Sequence, residues 1–449
     1  MTRLSGGLVD RSQRLSFSFD GKTFTGHPGD TLASALLAND IRLVGRSFKY
    51  HRPRGLFAAG SEEPNALVEL REGARQEPNT RATMAELYDG LVAKSQNRVG
   101  SLAFDLLAVN DLAAPFFAAG FYYKTFMWPK AFWEKLYEPA IRKAAGLGSL
   151  SMLPDPDEYD KGFLHCDLLV IGGGAAGLAA ALTAARAGAK VILADEDFRL
   201  GGRLLAETNP LDDAPATEWL ARVEAEFAAL PNLRVMRRTT VFGAFDHGIY
   251  GAVERVADHL ATPGGAVRQT LWRITAKRIV LAAGATERHI PFANNDRPGI
   301  MLAGALRAYA NRWAVAPAKT VAIFTNNDDG HRTALDLAAK GVEIVGVIDP
   351  RLGVKAMGNY PLFSGAVVSD TKGRLGLSRI EVTREGRSQW IEAGALGVSG
   401  GWNPNVHLAS HHRGRPVWDE RLLAFVPGKD GPPGLAPAGA AAGRGSTAA

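Results

Sequence analysis

A chain of 449 residues exceeds one ordinary core, and at about 150 residues per domain it reads as roughly three units. With 46% hydrophobic and 22% charged residues it has the composition of a soluble globular protein, and its net charge of +6 is scattered among acids with no basic stripe to mark a nucleic-acid surface. One cysteine, Cys166, excludes a disulfide framework within the chain and any cysteine-built metal or iron–sulfur site. The first residues lack the apolar core of a signal peptide, so the cytoplasm is the expected location. The most apolar early stretch, Leu102 to Trp133, is interrupted by Asp105, Asp111 and Lys124 and is too broken to span a membrane.

Residues Leu15 to Thr25 alternate apolar and polar around Asp20-Gly21, which predicts a hairpin. His27-Pro28-Gly29-Asp30 turns the chain, Asp30 or Thr31 caps, and Leu32 to Ala38 forms a helix. Arg42, Arg46, Lys49, His51, Arg52 and Arg54 then make a basic cluster. It reads either as a solvated face or as a contact with a phosphate or carboxylate. Hairpin, helix, the Pro53-Arg54-Gly55 turn and a closing strand resemble a small plant-type ferredoxin domain, which holds a [2Fe–2S] cluster with a C-x4-C-x2-C run. That pattern falls on Ala58, Glu63 and Ala66, so a ferredoxin-like shell without a cluster is expected.

From Glu77 to Pro156 aromatics are dense, and the segment reads as a helical connector with packed aromatics or, alternatively, as a docking surface for another subunit. Next comes CDLLVIGGGAAGLAAALTAARAGAKVILAD, which reads strand, tight turn, helix, strand. In Gly172-x-Gly174-x-x-Gly177 the first glycine permits the turn, the second lets a pyrophosphate approach the backbone, and the third lets helix and strand pack closely. Asp195, at the end of the second strand, suits a ribose 2′-OH, with Glu196 one residue on as a second candidate. Such an acid favours NAD or FAD over NADP. Cys166, at the entry to a buried strand, reads as inert packing.

The strings RSFKYHRPRG, GSEEPNA, EPNTRAT, GFYYKTFMWP and IRKAAGLG, followed by the Gly172 fingerprint, resemble the alpha subunit of heterotetrameric sarcosine oxidase over nearly the whole chain. The resemblance implies a complex that oxidises the N-methyl group of sarcosine, giving glycine, hydrogen peroxide and formaldehyde or methylene-tetrahydrofolate. It implies NAD held by this chain, with FAD there less favoured, FAD in a beta subunit, and FMN at the alpha–beta interface. Small gamma and delta subunits complete such a hetero-oligomer, with no nucleic acid or membrane partner. Family alpha subunits continue into a folate-binding domain similar to aminomethyltransferases, which this sequence does not contain; a truncated product and a split subunit both remain open.

Past the fingerprint, the Gly201-Gly202 doublet is similar to one that many flavin and pyridine-nucleotide oxidoreductases place against the dinucleotide, and Arg203 meets either a pyrophosphate or a surface acid. Leu211 to Leu230 reads as an amphipathic helix and Leu233 to Phe242 as a strand, with Val241 where the family's fold lends backbone groups to an adenine. A further strand ending in Leu281-Ala282-Ala283-Gly284-Ala285 resembles the second fingerprint of two-dinucleotide flavoproteins. Thr320 to Asp349 has the periodicity of another Rossmann half, but Asp328 and Asp329 stand where a pyrophosphate would approach, so phosphate binding is not expected there. His331 beside that loop reads as a surface residue. The Gly, Ala, Pro and Ser residues at the end are expected to bury little.

The fold class is therefore α/β: a ferredoxin-like α+β N-terminal domain without cluster, then a two-lobed Rossmann-like FAD/NAD(P)-binding fold. Expected domains are 1–95, a connector 96–160, a dinucleotide-binding domain 161–315 with 393–449 whose C-terminal part is incomplete, and a degenerate second lobe 316–392. The cofactor-binding candidates are Gly172, Gly174, Ala176, Gly177, Asp195, Glu196, Gly202, Arg203, Val241 and Gly284, with no catalytic residue and no metal ligand assigned. Two other functions fit the same features: a related amine or imino-acid dehydrogenase subunit for proline or an opine, and a non-catalytic scaffold that binds NAD only to hold an assembly together.

Overall fold

Asp20 and Gly21, both at positive φ (49° and 75°), make the two-residue turn between β1 (Leu15–Phe19) and β2 (Lys22–Gly26) in the computed structural model. The structure describes residues 3–112, 114–116, 128–144, 146, 148–211 and 214–445. Helix α1 (Leu32–Ala38) begins at Thr31, whose hydroxyl accepts the Ser34 amide while Ser34 Oγ accepts the Thr31 amide, a reciprocal cap. Strands β3 (Leu67–Leu70), β4 (Glu77–Arg81) and β5 (Leu91–Ser95) complete a five-stranded sheet in the order β2-β1-β5-β3-β4.

Strand β6 (Tyr159–Ile171), helix α2 (Ala175–Arg186) and strand β7 (Val191–Ala194) form the expected strand–helix–strand unit. Helix α3 covers Ala216–Ala229, shorter than the amphipathic pattern suggested. Pro215 sits at its N-cap and fixes the start, and Pro231 follows its end. The single strand expected over Leu233 to Phe242 is two, β8 (Leu233–Met236) and β9 (Thr239–Phe245), because Arg238 takes positive φ (56°) between them. With β10 (Ile249–Glu254) and β11 (Gln269–Leu281) the sheet runs β8-β7-β6-β11-β10-β9. Four buried apolar residues, Leu169, Ile171, Ile192 and Leu281, come from its three central strands. Each contributes about 2 kcal/mol on burial.

The next segment builds a parallel sheet. Strand β12 (Ile300–Leu302), helix α4 (Ala303–Asn311), β13 (Thr320–Thr325), α5 (Asp328–Ala339), β14 (Glu343–Asp349) and β15 (Leu362–Ser364) come first. An antiparallel trio, β16 (Val367–Lys372), β17 (Arg379–Arg384) and β18 (Arg387–Glu392), precedes β19 (Ala395–Ser399). The sheet order is β12-β19-β13-β14-β15. Finally β20 (Leu435–Pro437) adds to β11 through Ile279 to Leu281.

Two compact units result, Met1–Pro156 with Ile290–Ser399, and Asp157–His289 with Gly400–Ala449. The N-terminal sheet and the parallel sheet fall in one unit because they share a core: Leu32, Leu36 and Leu56 cluster with Leu306, Tyr309 and Trp313. Of the aromatic string GFYYKTFMWP only Trp128 and Pro129 lie within the described residues; its other members, and the four C-terminal ones, lie outside. Residues 439–442, expected to bury little, form a 3-10 turn with Ala441 fully buried, since the adjoining β20 is tied into the sheet. Among the described residues no helix is long and apolar enough to cross a membrane.

Candidate dinucleotide site

β6 ends at Ile171 and the chain reverses at Gly172, whose φ of 103° an L side chain rarely adopts. A Cβ there would lie 2.3 Å from the Ala282 carbonyl oxygen, and one at Gly177 would lie 1.8 Å from the Gly172 oxygen. Both positions are thus closed by the protein's own backbone. Gly174 differs: a Cβ there would meet nothing within 4 Å. It is the N-cap of α2 and carries no side chain, so no side chain caps the first-turn amides. Three glycines read from one pattern therefore divide, two closed by backbone and one open.

Asp195 stands one residue beyond β7, where its Oδ2 accepts the Gly173 amide and its Oδ1 accepts the Asp197 amide at 2.8 Å. Burial pushes the Asp195 carboxyl up to about 6, against the two amides that pull it down. Glu196 follows, and its carbonyl accepts Arg255 at 2.6 Å. The doublet lies against the loop: Gly201 donates to Gly173 O at 2.8 Å, and a Cβ on Gly202 would come 3.1 Å from Gly174 Cα. Arg203 stacks over Trp402, 4.1 Å from the ring centroid, and pairs with Glu207 at 2.5 Å.

Ala176 touches the C-terminal turn, where a Cβ on Gly439 (φ 59°) would sit 2.7 Å from Ala176 Cβ. β20 and its turn thereby close on the first turn of α2. Val241 lies half-buried at the bulge of β9, and β9 enters the site through the Thr239 amide, which donates to Asp195 O at 2.7 Å. Gly284 takes φ 72°, and a Cβ there would meet nothing within 4 Å. Asn405, missed in the sequence, holds that turn: its side-chain amide donates to Ala283 O at 2.8 Å and its backbone amide to Gly284 O at 3.1 Å. The Gly401-Trp402-Asn403-Pro404-Asn405 run was the signal available for both Trp402 and Asn405.

The second lobe repeats this geometry with the opening filled. Counting back from Gly330, whose Cβ would strike Thr325, the positions of Gly172 and Gly174 are taken by Thr325 and Asn327. Thr325 Oγ1 accepts the Asn327 amide at 3.1 Å, and Asn327 Oδ1 caps the Asp329 amide at 3.0 Å. His331 is fully buried, not a surface residue. It sits on the inner face of α5, with Nε2 at 3.0 Å from Asp349 and Nδ1 at 3.1 Å from the Tyr360 hydroxyl. Asp349, at the end of β14 as Asp195 is beyond β7, is further bound by Arg351 at 2.8 Å.

The basic cluster is not one solvated face. Arg46 is buried on the carbonyls of His51 and Leu102, His51 pairs with Asp105 at 2.6 Å, and Arg52 and Arg54 both reach Asp296, at 2.9 and 2.6 Å. The three arginines and His51 are thus bound to internal acceptors. Cys166 is buried, its thiol pushed up to about 11, as an inert packing residue requires.

Residues 167–272 match the family of FAD dependent oxidoreductases, and residues 12–98 the family of 2Fe-2S iron-sulfur cluster binding domains. The sarcosine oxidase subunit alpha of Rhizobium meliloti (strain 1021) is 54% identical over 423 residues, 94% of this chain and 43% of that protein. That of Corynebacterium sp. (strain U-96) is 37% identical over 440 residues, 94% of this chain and 41% of that protein. Among solved structures, L-proline dehydrogenase from P. horikoshii superposes with a TM-score of 0.65 at 20% identity, over 96% of this chain and 69% of that one, which bears on the fold alone. The chain is similar to sarcosine oxidase alpha subunits along nearly all its own length and spans less than half of theirs.

An adenine dinucleotide fits the residues present, since the open Gly174 and the uncapped start of α2 are the cradle that a pyrophosphate needs. A [2Fe–2S] cluster does not fit. Its ligand positions carry Ala58, Glu63 and Ala66, and the Glu63 carboxylate already occupies the interior of the loop.

Proposed function

We propose that this chain, similar to sarcosine oxidase subunit alpha over 94% of its length, is the dinucleotide-binding subunit of an amine-oxidising complex, with sarcosine as the substrate. The observation that carries the reading is the open Gly174 at the start of α2 with the carboxylate of Asp195 bound to the same loop, whereas the corresponding positions of the second lobe are filled. In this reading the chain holds NAD. The amides of the first turn of α2 bind the pyrophosphate, Asp195 with Glu196 binds the adenosine ribose, and the backbone at Val241 lies along the adenine.

NAD supplies a hydride acceptor when it is redox-active. The residues named here bind and orient its adenosine half. Gly202 keeps the doublet close to the loop, Arg203 braces it through Trp402, and Asn405 holds the turn at Gly284. FAD in a beta subunit, FMN between the two, small gamma and delta subunits and a cytoplasmic location belong to the same proposal.

Purification of the full chain followed by denaturation, absorbance and mass analysis of the released compound tests it. NAD supports the reading. FAD in its place, consistent with the family matched by residues 167–272, makes the chain a flavoprotein subunit and overturns the assignment of NAD. Sarcosine turnover in the complex with beta, compared between wild type and Gly174→Val, then separates a redox role for this site from a scaffold role.

A further inference from the structure

The loop from Phe57 to Ala66 has the shape of a metal-cluster loop and a different occupant. In C-x4-C-x2-C the ligands surround an anionic iron–sulfur group, and backbone N–H groups of the loop point inward at its sulfurs. Here the first and third positions are Ala58 and Ala66, both fully buried, and the second is Glu63, 1% exposed. Glu63 Oε2 accepts the amides of Phe57 and Ala58, both at 2.7 Å. Its Oε1 accepts the amides of Asn65 at 2.8 Å and Ala66 at 3.0 Å. Four inward N–H groups thus converge on one carboxylate.

We propose that this loop is an anion site filled from within, the Glu63 carboxylate standing where the fold would otherwise hold an iron–sulfur cluster. Only donors face the two oxygens. A protonated carboxyl would set its O–H against an N–H, so the ionised form is the one that the loop fits. Burial raises the pKa of Glu63, and the four amides oppose that rise. The loop's outward groups are consumed as well. Thr83 Oγ1 donates to Gly60 O at 2.7 Å, Tyr309 Oη to Ala58 O at 3.0 Å, and the Leu302 amide to Phe57 O at 2.8 Å. The carboxylate therefore shapes the surface on which β12 and α4 rest. In place of a redox group the loop holds a structural one.

The test is amide hydrogen exchange at residue resolution on the full-length chain, comparing wild type with Glu63→Gln and Glu63→Ala. Exchange at Phe57, Ala58, Asn65 and Ala66 is expected to accelerate on the order of 100-fold in both variants while the β1–β5 sheet stays protected. Formate added to Glu63→Ala is expected to restore protection, and neutral formamide of the same size is not. Unchanged exchange at the four amides in the variants overturns the proposal, and so does rescue by neither compound or by both equally. If neither variant folds, wild type decides: the four amides must exchange as slowly as the sheet, and exchange at the rate of free loop amides overturns it.

Discussion

The Asp195 carboxylate reaches back over the glycine loop to accept the Gly173 amide, while its other oxygen accepts the amide of Asp197. One side chain thereby ties the turn after β6 to the segment after β7. A Cβ on Gly173 would sit 3.0 Å from Asp195 Oδ2, so the acid and the loop are fitted to each other. In the proposed reading, where Asp195 meets a ribose, this carboxylate is held in place beforehand, which lowers the ordering cost of binding.

Gly174→Val and Gly177→Ala are expected to fail in opposite ways. Gly174 has φ −77° and ψ −177°, which a β-branched residue adopts, and no protein atom within 4 Å of its Cβ position. Its variant keeps thermal stability within about 0.5 kcal/mol and loses bound nucleotide. Gly177→Ala drives a methyl against the Gly172 carbonyl and costs about 1–3 kcal/mol or more. Melting curves and nucleotide content of both variants check this, and nucleotide retained by Gly174→Val would place the site elsewhere.

Asp195 sets a pH dependence of the nucleotide-free protein. Its folded pKa, about 6, lies above the unfolded value of 3.8, so between them the folded state holds more protons. Its contribution to stability therefore falls as pH rises from about 4 to about 6 and is level above that. Denaturant titrations should show this slope in wild type and not in Asp195→Asn; identical pH profiles would contradict it. The variant should also bind the dinucleotide roughly 10-fold more weakly, the loss of a hydrogen bond to a charged group.

Asp349 behaves oppositely. Burial acts to raise its pKa, but hydrogen bonds from Arg351 and His331 carry it below the ordinary carboxylate value. Its stabilisation is present above that ordinary value and is lost as pH falls through the lowered folded one. Asp349→Asn is expected to cost about 3 kcal/mol near neutrality, because it removes the buried carboxylate that holds His331, while Arg351 keeps Asp328 at 2.9 Å. Nucleotide content should be unchanged, since the second lobe carries its own cap in place of a phosphate site.

Cys166 is expected to be silent toward thiol reagents in the native protein at pH 8, with one equivalent reacting after denaturation. Its thiol, raised to about 11 by burial, leaves about 0.1% thiolate at that pH. Rapid labelling of the native chain would show the strand β6 to be open.

Some of this was legible in the sequence because its cause is local. The hairpin followed from Asp20-Gly21, which tolerate positive φ; α1 followed from the Thr31 cap; the β6–α2–β7 unit followed from three glycines and an acid at fixed spacing. For the second lobe the expectation of no phosphate site rested on the charge of Asp328 and Asp329, whereas the structure shows the side chains of Thr325 and Asn327 filling the loop, which the sequence reading did not use. His331 was misplaced because a helix shows its polar residues on a linear string without showing which neighbour pairs them. Asp349 and Tyr360, 18 and 29 positions away, are what make its burial possible.

The sequence by itself determined the backbone geometry of the site, since glycine conformation, helix capping and strand period depend on residues within a few positions of one another. Only the tertiary structure decided which of those positions are open. That Gly174 faces free space while Gly172 and Gly177 face carbonyls, that Arg203 lies on Trp402, and that Glu63 gathers four amides are facts of close packing. Packing joins residues far apart in the chain, and no local preference encodes which of them will meet.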